Sequence, residues 1–388
     1  MSHLHELVGE WAFQLLLAVE LAIYSYYLVI AVRKFGYASI VIVVAYVSFL
    51  ILQTFNFSAK AGTPVNVNSI FEYITILSIL AFYQTKAPLE FIQKVIIYFA
   101  FCYLVIYNVF YDQILAAAPV DGSLFRPASA GREDRVNLSS GVASFALIVG
   151  LFSLRKAPLK GIGLALLAAV AIFSAESRAS SVAIVLGIMS FLGGVTLPRL
   201  RPAINWTMAL IFVSLTVYLV SPVIGLQYNP YSPLATDASG WARYLQFQDG
   251  MDRLTGNIFW GVGIHSSIDD LQRYVVPARP FFTSDLGVFG IAFTFGIFFA
   301  LLYVILSIVL ITKPPRNEKG AIYVPLFYCV QLQAFIGFFS AGILNSTTAV
   351  FVALTVTCWL RARSAGLPNR QSYGLTRPIA SNRELRRL

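Results

Sequence analysis

Runs of about twenty apolar residues recur at short intervals along almost the whole chain, and they limit what it can fold into. A hydrocarbon core about 30 Å thick is crossed by roughly 20 such residues in an α-helix. The runs place spans near 11–32, 37–57, 68–84, 92–111, 138–154, 160–176, 179–197, 204–224, 284–311, 321–341 and 346–361. Span 68–84 is short, and the last two spans read equally as one long hairpin. The alternating ten-residue segments of a membrane β-barrel are missing, which leaves helices. Charged residues make up 12% of the chain, about half the usual fraction in a soluble domain. The expected fold is an all-α polytopic membrane protein of about eleven transmembrane helices (10–12), over residues 1–361.

Lysine and arginine set the orientation, because cytoplasmic loops hold the excess. Alternate loops, counted from the one after the first span, carry 19 of the 28 basic residues, seven of them arginines from Arg361 onward. Acidic residues do the reverse, with only Glu90, Glu318 and Glu384 on the basic side. This places the N-terminus outside and the C-terminus in the cytoplasm. The tail 362–388 is basic and rich in Gly, Pro, Ser and Asn, so it is expected to be disordered and to adhere to anionic lipid. Met1 to Glu10 lacks a basic region and a small-residue cleavage site, so no removable signal peptide is expected. Cys102, Cys329 and Cys358 fall within apolar runs at spacings that suggest neither a disulfide framework nor a zinc site.

Two connections break the pattern of short loops, and both fall on the outer side. Segment 112–137 holds Arg126, Arg132, Glu133, Asp134 and Arg135. Segment 225–283 is the large outer loop, and its aromatic content argues against disorder. Within it, Trp241 to Thr255 reads as an amphipathic helix capped by Ser239 or Gly240 and ended by Gly256. Trp241, Tyr244, Leu245, Met251 and Leu254 would form its apolar face along the membrane surface. Arg243 and Arg253 would then face lipid phosphates or an anionic substrate.

Arg178 lies in a tight outer turn, Ser174-Ala-Glu-Ser-Arg-Ala-Ser-Ser181, at the start of a helix. Free N–H groups and the helix dipole there favour an anion, and Ser180 and Ser181 add hydroxyls. The alternative is a local Glu176–Arg178 pair or an arginine reaching the interface. His265 is the one histidine beyond His3 and His5, and it reads either as a general base or as a plain loop residue. Asp269 and Asp270 lack companions at ligand spacing, so no metal is expected, and no cofactor. Asp285, at the outer entry to the ninth span, is either a helix cap or a carboxylate facing a site.

On these residues the chain resembles the bacterial O-antigen polymerase and ligase family, including exopolysaccharide polymerases. Ser-Arg-Ala-Ser (177–180) is similar to the family's Ser-Arg-small motif. Arg243, followed by Trp260-Gly-Val-Gly263, is similar to its outer-loop arginine and Gly-x-Gly element. Ser284-Asp-Leu-Gly287, with Gly296-Ile297, resembles the start of the next span in the polymerase branch. The stretch Val275-Val-Pro-Ala-Arg279-Pro-Phe-Phe lacks the His-Asn pair of the ligase branch, which favours the polymerase branch.

The resemblance implies glycosyl transfer between polyprenyl-pyrophosphate-linked repeat units at the periplasmic face of a bacterial inner membrane. Arg178, Arg243, Arg253, Arg279 and Ser180 would bind the pyrophosphate, and His265, Asp285 or Asp249 would take the acceptor's proton. Inversion at the anomeric carbon is expected, without a metal. The lipid bilayer and a chain-length regulator are the partners implied, with no nucleic acid. The competing readings are ligase-type transfer to a lipid acceptor and a flippase or transporter using Glu20 and Glu72, which lie within spans.

Overall fold

The structure is a computed structural model that describes residues 4–84, 89–112, 127–128, 132–136, 140–154, 157–174, 178–236, 238–265, 268–276 and 281–312. It also describes residues 328, 329, 331, 332, 353, 356, 357, 360 and 361. The tenth and eleventh expected spans and the tail 362–388 therefore lie mostly or wholly outside the described residues.

The helical class expected from sequence is what forms. In chain order come α1 (Leu4–Phe35), α2 (Ala38–Ala61), the short α3 (Phe71–Ile74) and α4 (Ser78–Gln84), and α5 (Leu89–Val109). After these come α6 (Ser140–Ser153), α7 (Pro158–Ser174), α8 (Arg178–Thr196) and α9 (Arg201–Val220). The chain continues through α10 (Ala238–Leu254), α11 (Ile268–Val275), α12 (Val288–Phe295) and α13 (Ile297–Thr312). Local chemistry sets several ends. Gly36 and Gly62 take left-handed φ values of 74° and 65° on either side of α2. Proline in the first turn of α9 lacks the N–H that would otherwise go unpaired there.

Three features depart from the expected elements. Segment 112–137 contains an antiparallel pair, β1 (Pro127–Ala128) and β2 (Arg132–Val136), with an irregular register. A long connection must pair its backbone groups somewhere, and strand pairing does so locally. The span near 68–84 is a chain of short α and 3-10 pieces. The Tyr73 carbonyl in this stretch accepts from the Tyr46 hydroxyl on α2 at 3.0 Å. The span near 284–311 is two helices, broken at Gly296 (φ 87°, ψ 168°).

The core sits around α12, whose eight residues are all buried. The α6–α7 hairpin is held close by Gly150 and Gly161, where an added Cβ would lie 2.8 Å from the Ala165 nitrogen and 2.7 Å from the Gly150 oxygen respectively. Small residues let helix backbones meet in this way. The Asn108 side chain donates to the Leu167 carbonyl at 2.9 Å and ties α5 to α7. A buried polar chain joins three helices to residue 331. Ser190 donates to Gln331 at 2.7 Å, and Gln331 donates to Asn205 at 3.0 Å and to the Ile311 carbonyl at 3.1 Å.

The outer surface of the bundle is apolar, with Phe173, Leu159, Ile42, Leu210 and Phe298 all exposed. Among the described residues, two helices, Ala38–Ala61 and Arg201–Val223, are long and apolar enough to cross a membrane, and seven shorter apolar helices accompany them.

Candidate functional site

The connection from α9 to α12 folds back onto the bundle. Its first anchor is α10. Phe247 packs on Phe289 of α12 at 4.5 Å and on Tyr231 at 5.6 Å, and the Tyr231 hydroxyl donates to the Leu286 carbonyl at 3.0 Å. Gly250 lets α10 approach, since an added Cβ would lie 3.1 Å from Phe289 and 3.2 Å from Phe281. The helix therefore rests on protein rather than along a membrane surface, and of the face expected from sequence Leu254, Tyr244 and Met251 pack on the core while Trp241 does not. Gln246, Phe247, Gly250 and Leu254 are buried, while Trp241 is 51% exposed and stacks on Tyr244 at 5.1 Å. It also starts at Ala238, ahead of either expected cap.

The second anchor is the strip Trp260–His265, wedged between α2 and the α12–α13 break. From α2, Gln53 donates to the Trp260 carbonyl at 3.0 Å. Asn56 and Lys60 both donate to the Gly261 carbonyl, at 3.2 and 2.8 Å. The strip's own N–H groups serve the broken helix. Val262 donates to the Phe293 carbonyl at 2.6 Å and Gly263 to the Thr294 carbonyl at 3.0 Å. Ile264 N–H reaches the Gln53 carbonyl at 3.1 Å, and Ile297 N–H the Ile258 carbonyl at 2.9 Å.

A helix break normally leaves such groups without partners, and here the strip supplies them. Two glycines in it are obligatory. Gly261 (φ 69°) would place a Cβ 2.5 Å from the Gly296 nitrogen, and Gly263 (φ 112°) would place one 2.7 Å from the Phe57 nitrogen.

At the end of this strip stands His265. Its ring meets the edge of Phe57 on α2 at 6.3 Å. Phe57 in turn meets Tyr274 of α11 at 5.8 Å, and the Arg253 guanidinium lies over Tyr274 at 5.0 Å. The residue is partly exposed, but its Nδ1 is sealed from solvent and has no hydrogen-bond partner. Burial pushes the imidazole down from its usual value to about 4, while the negative charge of Asp270 pulls it the other way. A histidine in this state is neutral at pH 7. It can accept a proton, though only as a weak base.

That shift carries a prediction for stability. The unfolded imidazole binds its proton near 6.5 and the folded one near 4. Between these values the unfolded chain holds the extra proton, so acid weakens the fold as pH falls from 6.5 toward 4. Above 6.5 both states are neutral and His265 adds no pH dependence. The full effect is on the order of 3 kcal/mol, at 1.36 kcal/mol per unit. Melting curves in detergent are expected to lose less in acid for His265→Phe than for the wild type, and equal acid losses would contradict the shift.

Of the residues singled out from sequence, His265 and Arg253 come together around Phe57 and Tyr274. Arg243 and Asp249 are partly buried on α10. Ten residues separate Arg243 from Arg253, about 15 Å along a helix axis, so the two do not stand side by side. Arg253 is exposed, and its Nη2 reaches the Val275 carbonyl at 3.5 Å, so it also fastens α10 to α11. Arg178 is the first residue of α8, as expected. The side chains of Arg178, Ser180, Ser181 and Asp285 lie outside the described residues, as do the whole of Glu176 and Arg279.

Sequence reasoning missed the role of Gln53, Asn56 and Lys60. A signal was present, since positions 53, 56 and 60 form a polar stripe at helical spacing in an otherwise apolar span.

No protein-family model matches this chain, and neither does any curated protein or solved structure.

Proposed function

We propose that the protein is a membrane glycosyltransferase of the polysaccharide-polymerase type. It joins polyprenyl-pyrophosphate-linked oligosaccharide repeat units at the outer face of a bacterial inner membrane, in O-antigen or exopolysaccharide synthesis. In this reading the chain crosses the bilayer about eleven times, with the N-terminus outside and the C-terminus in the cytoplasm.

The observation that carries the reading is the folded connection between α9 and α12. It supplies cations, a neutral imidazole and exposed aromatic side chains beside an apolar bundle. Lipid-linked substrate needs both surfaces, an apolar flank for the polyprenyl tail and fixed positive charge for the pyrophosphate. Arg178 heads α8, where backbone N–H groups and the dipole add to its charge. Arg243 lies on α10.

The reaction balances simply. The acceptor hydroxyl oxygen attacks the anomeric carbon of the donor, the new C–O bond forms, and the bond to the pyrophosphate oxygen breaks. Polyprenyl pyrophosphate leaves with the electron pair, its charge neutralised by the arginines. The hydroxyl proton passes to a base, for which His265, Asp285 and Asp249 are the candidates.

A second reading, a flippase or transporter, is favoured by one observation. Transporters use broken helices to expose backbone groups to a cargo ion or solute, and the chain has such a break at Gly296. The carbonyls of Phe293 and Thr294 at that break already accept from Val262 and Gly263. The break is filled by the chain itself, and this weighs toward the enzyme. Ligase-type transfer to a lipid acceptor uses the same donor chemistry and differs only in acceptor.

The test is the purified protein in liposomes with lipid-linked repeat units, products resolved on gels. A ladder of longer glycans is expected, lost in Arg178→Ala and Arg243→Ala and unaffected by EDTA. A folded wild type that extends none of its native repeat units would end the polymerase reading.

A further inference from the structure

We propose that Phe259, Trp260 and Phe298 form an aromatic ledge seated at the outer edge of the bilayer's hydrocarbon, level with the break between α12 and α13. The proposal rests on the membrane reading above and adds a depth and a contact surface to it. The three side chains are 61%, 68% and 65% exposed, and the Phe259 ring stacks on the Phe298 ring at 5.5 Å. Their backbone is pinned on both sides, by Gln53 on the Trp260 carbonyl and by the Ile297 N–H on the Ile258 carbonyl. The rings are therefore fixed outward. A fixed cluster of exposed aromatic surface marks a place where the protein meets something other than water.

Two independent rulers identify the cover. On α2, Gln53, Asn56 and Lys60 stand about 22, 27 and 33 Å along the axis from Ala38, its first residue. On α13, Phe298 stands about 21 Å from Thr312, its last residue. Both helices begin counting from basic connections, Arg33 and Lys34 ahead of α2 and Lys313 after α13. In a hydrocarbon core about 30 Å thick, both rulers reach the outer third at the ledge.

The surface changes character at the same level. Within α2 the exposed large apolar side chains run from Val41 to Phe55, and within α13 from Leu306 back to Phe298. Both bands stop at the ledge. Just ahead of it in the chain, Asp252, Arg253 and Thr255 are exposed. Charge on one flank and an apolar band on the other is the setting in which tryptophan collects at a membrane interface, its body in hydrocarbon and its N–H among headgroups. A bilayer covers the ledge and both bands at once.

The depth bears on the site. From the ledge the strip continues to His265, whose ring meets Phe57. Phe57 stands about 28 Å along α2. The imidazole is then at headgroup level, where a lipid-linked pyrophosphate presents its anomeric carbon without leaving the bilayer.

The test reads depth at one indole. The chain has five tryptophans, and single-tryptophan variants keep Trp260 or Trp206, with phenylalanine at the others. Trp206, exposed near the start of α9, is the control for membrane insertion. Each variant is reconstituted in phosphatidylcholine vesicles brominated either near the headgroup end or near the methyl end of the acyl chains. Trp260 emission is expected to fall in both, and further with bromine near the headgroup. Stronger quenching by methyl-end bromine would overturn the proposal. So would an unquenched Trp260 in vesicles where Trp206 is quenched, and acrylamide would then tell water from a second copy of the chain as the cover. If neither indole is quenched, the membrane reading itself fails and the ledge fails with it. Should the multiple substitution aggregate, the difference in quenching between wild type and Trp260→Phe gives the same depth.

Discussion

Gly296→Ala is expected to destroy the junction between α12 and α13, and with it the monodisperse peak of the protein in detergent. Two independent costs meet at this position. The backbone sits at φ 87° and ψ 168°, a region that residues with a Cβ avoid. An added Cβ would also overlap the Phe259 carbonyl, with its carbon only 2.5 Å away. Strain of this kind costs about 1–3 kcal/mol before the clash is counted. Relief would require the strip 258–264 to lift off, which frees the Phe293 and Thr294 carbonyls in a buried setting. Gly163→Ala is the matched control, because nothing lies within 4 Å of its added Cβ. Fluorescence-detected size exclusion across a temperature series separates the two. If Gly296→Ala survives heating as Gly163→Ala does, the junction is not built as described.

Arg178→Lys is expected to lose glycan extension by about a hundredfold or more, although the charge is kept. A transition state that develops charge on a pyrophosphate is stabilised by preorganised donors, and removing one typically costs about 10²–10³ in rate. Lysine keeps the charge and loses the planar fork that grips two phosphate oxygens together. Glu20→Gln on α1 is expected to extend glycan like the wild type. The transporter reading inverts this pair, with Glu20→Gln inactive and Arg178→Ala tolerated. Measuring both variants in the liposome assay, beside a translocation assay, decides between the two classes. A Lys variant with wild-type ladder lengths and rates would remove Arg178 from the site.

The helices were legible because apolar runs of bilayer length leave few alternatives. The expected starts and ends near 138–154, 160–176, 179–197 and 204–224 lie within a few residues of α6 to α9. The break at Gly296 was not legible, because its cause is remote. Apolar periodicity runs straight through Phe295-Gly-Ile, and the groups that meet the Phe293 and Thr294 carbonyls there, the Val262 and Gly263 N–H groups, are about thirty residues away. The hydrogen bond to the Tyr73 carbonyl is equally remote, since its donor, Tyr46, lies 27 residues earlier.

At the site, composition pointed to the outer connection and to His265, while the contacts of His265 depend on how that connection folds. Phe57 belongs to α2, and nothing local to residues 260–270 predicts it as the neighbour of the imidazole. The face of α10 was legible only in part, for a similar reason. Trp241 is the most obvious apolar residue there, yet the bundle presents Phe281 and Phe289 to Phe247 and Gly250 instead.

The clasp between α2 and the Trp260–Gly261 strip joins residues 207, 205 and 201 positions apart through Gln53, Asn56 and Lys60. The ribosome makes α2 early and the strip late. At about 5–20 residues per second, the gap lasts roughly 10–40 s. For that interval three polar side chains wait in a helix whose other faces are apolar, and in the proposed membrane setting hydrocarbon would offer them no substitute partner. In the membrane reading proposed above, α2 would need shelter, by water at the interface or by an insertase, until the latecomer arrives. A chain truncated before the strip would leave Gln53, Asn56 and Lys60 without the Trp260 and Gly261 carbonyls, even with its first eight hydrophobic segments complete.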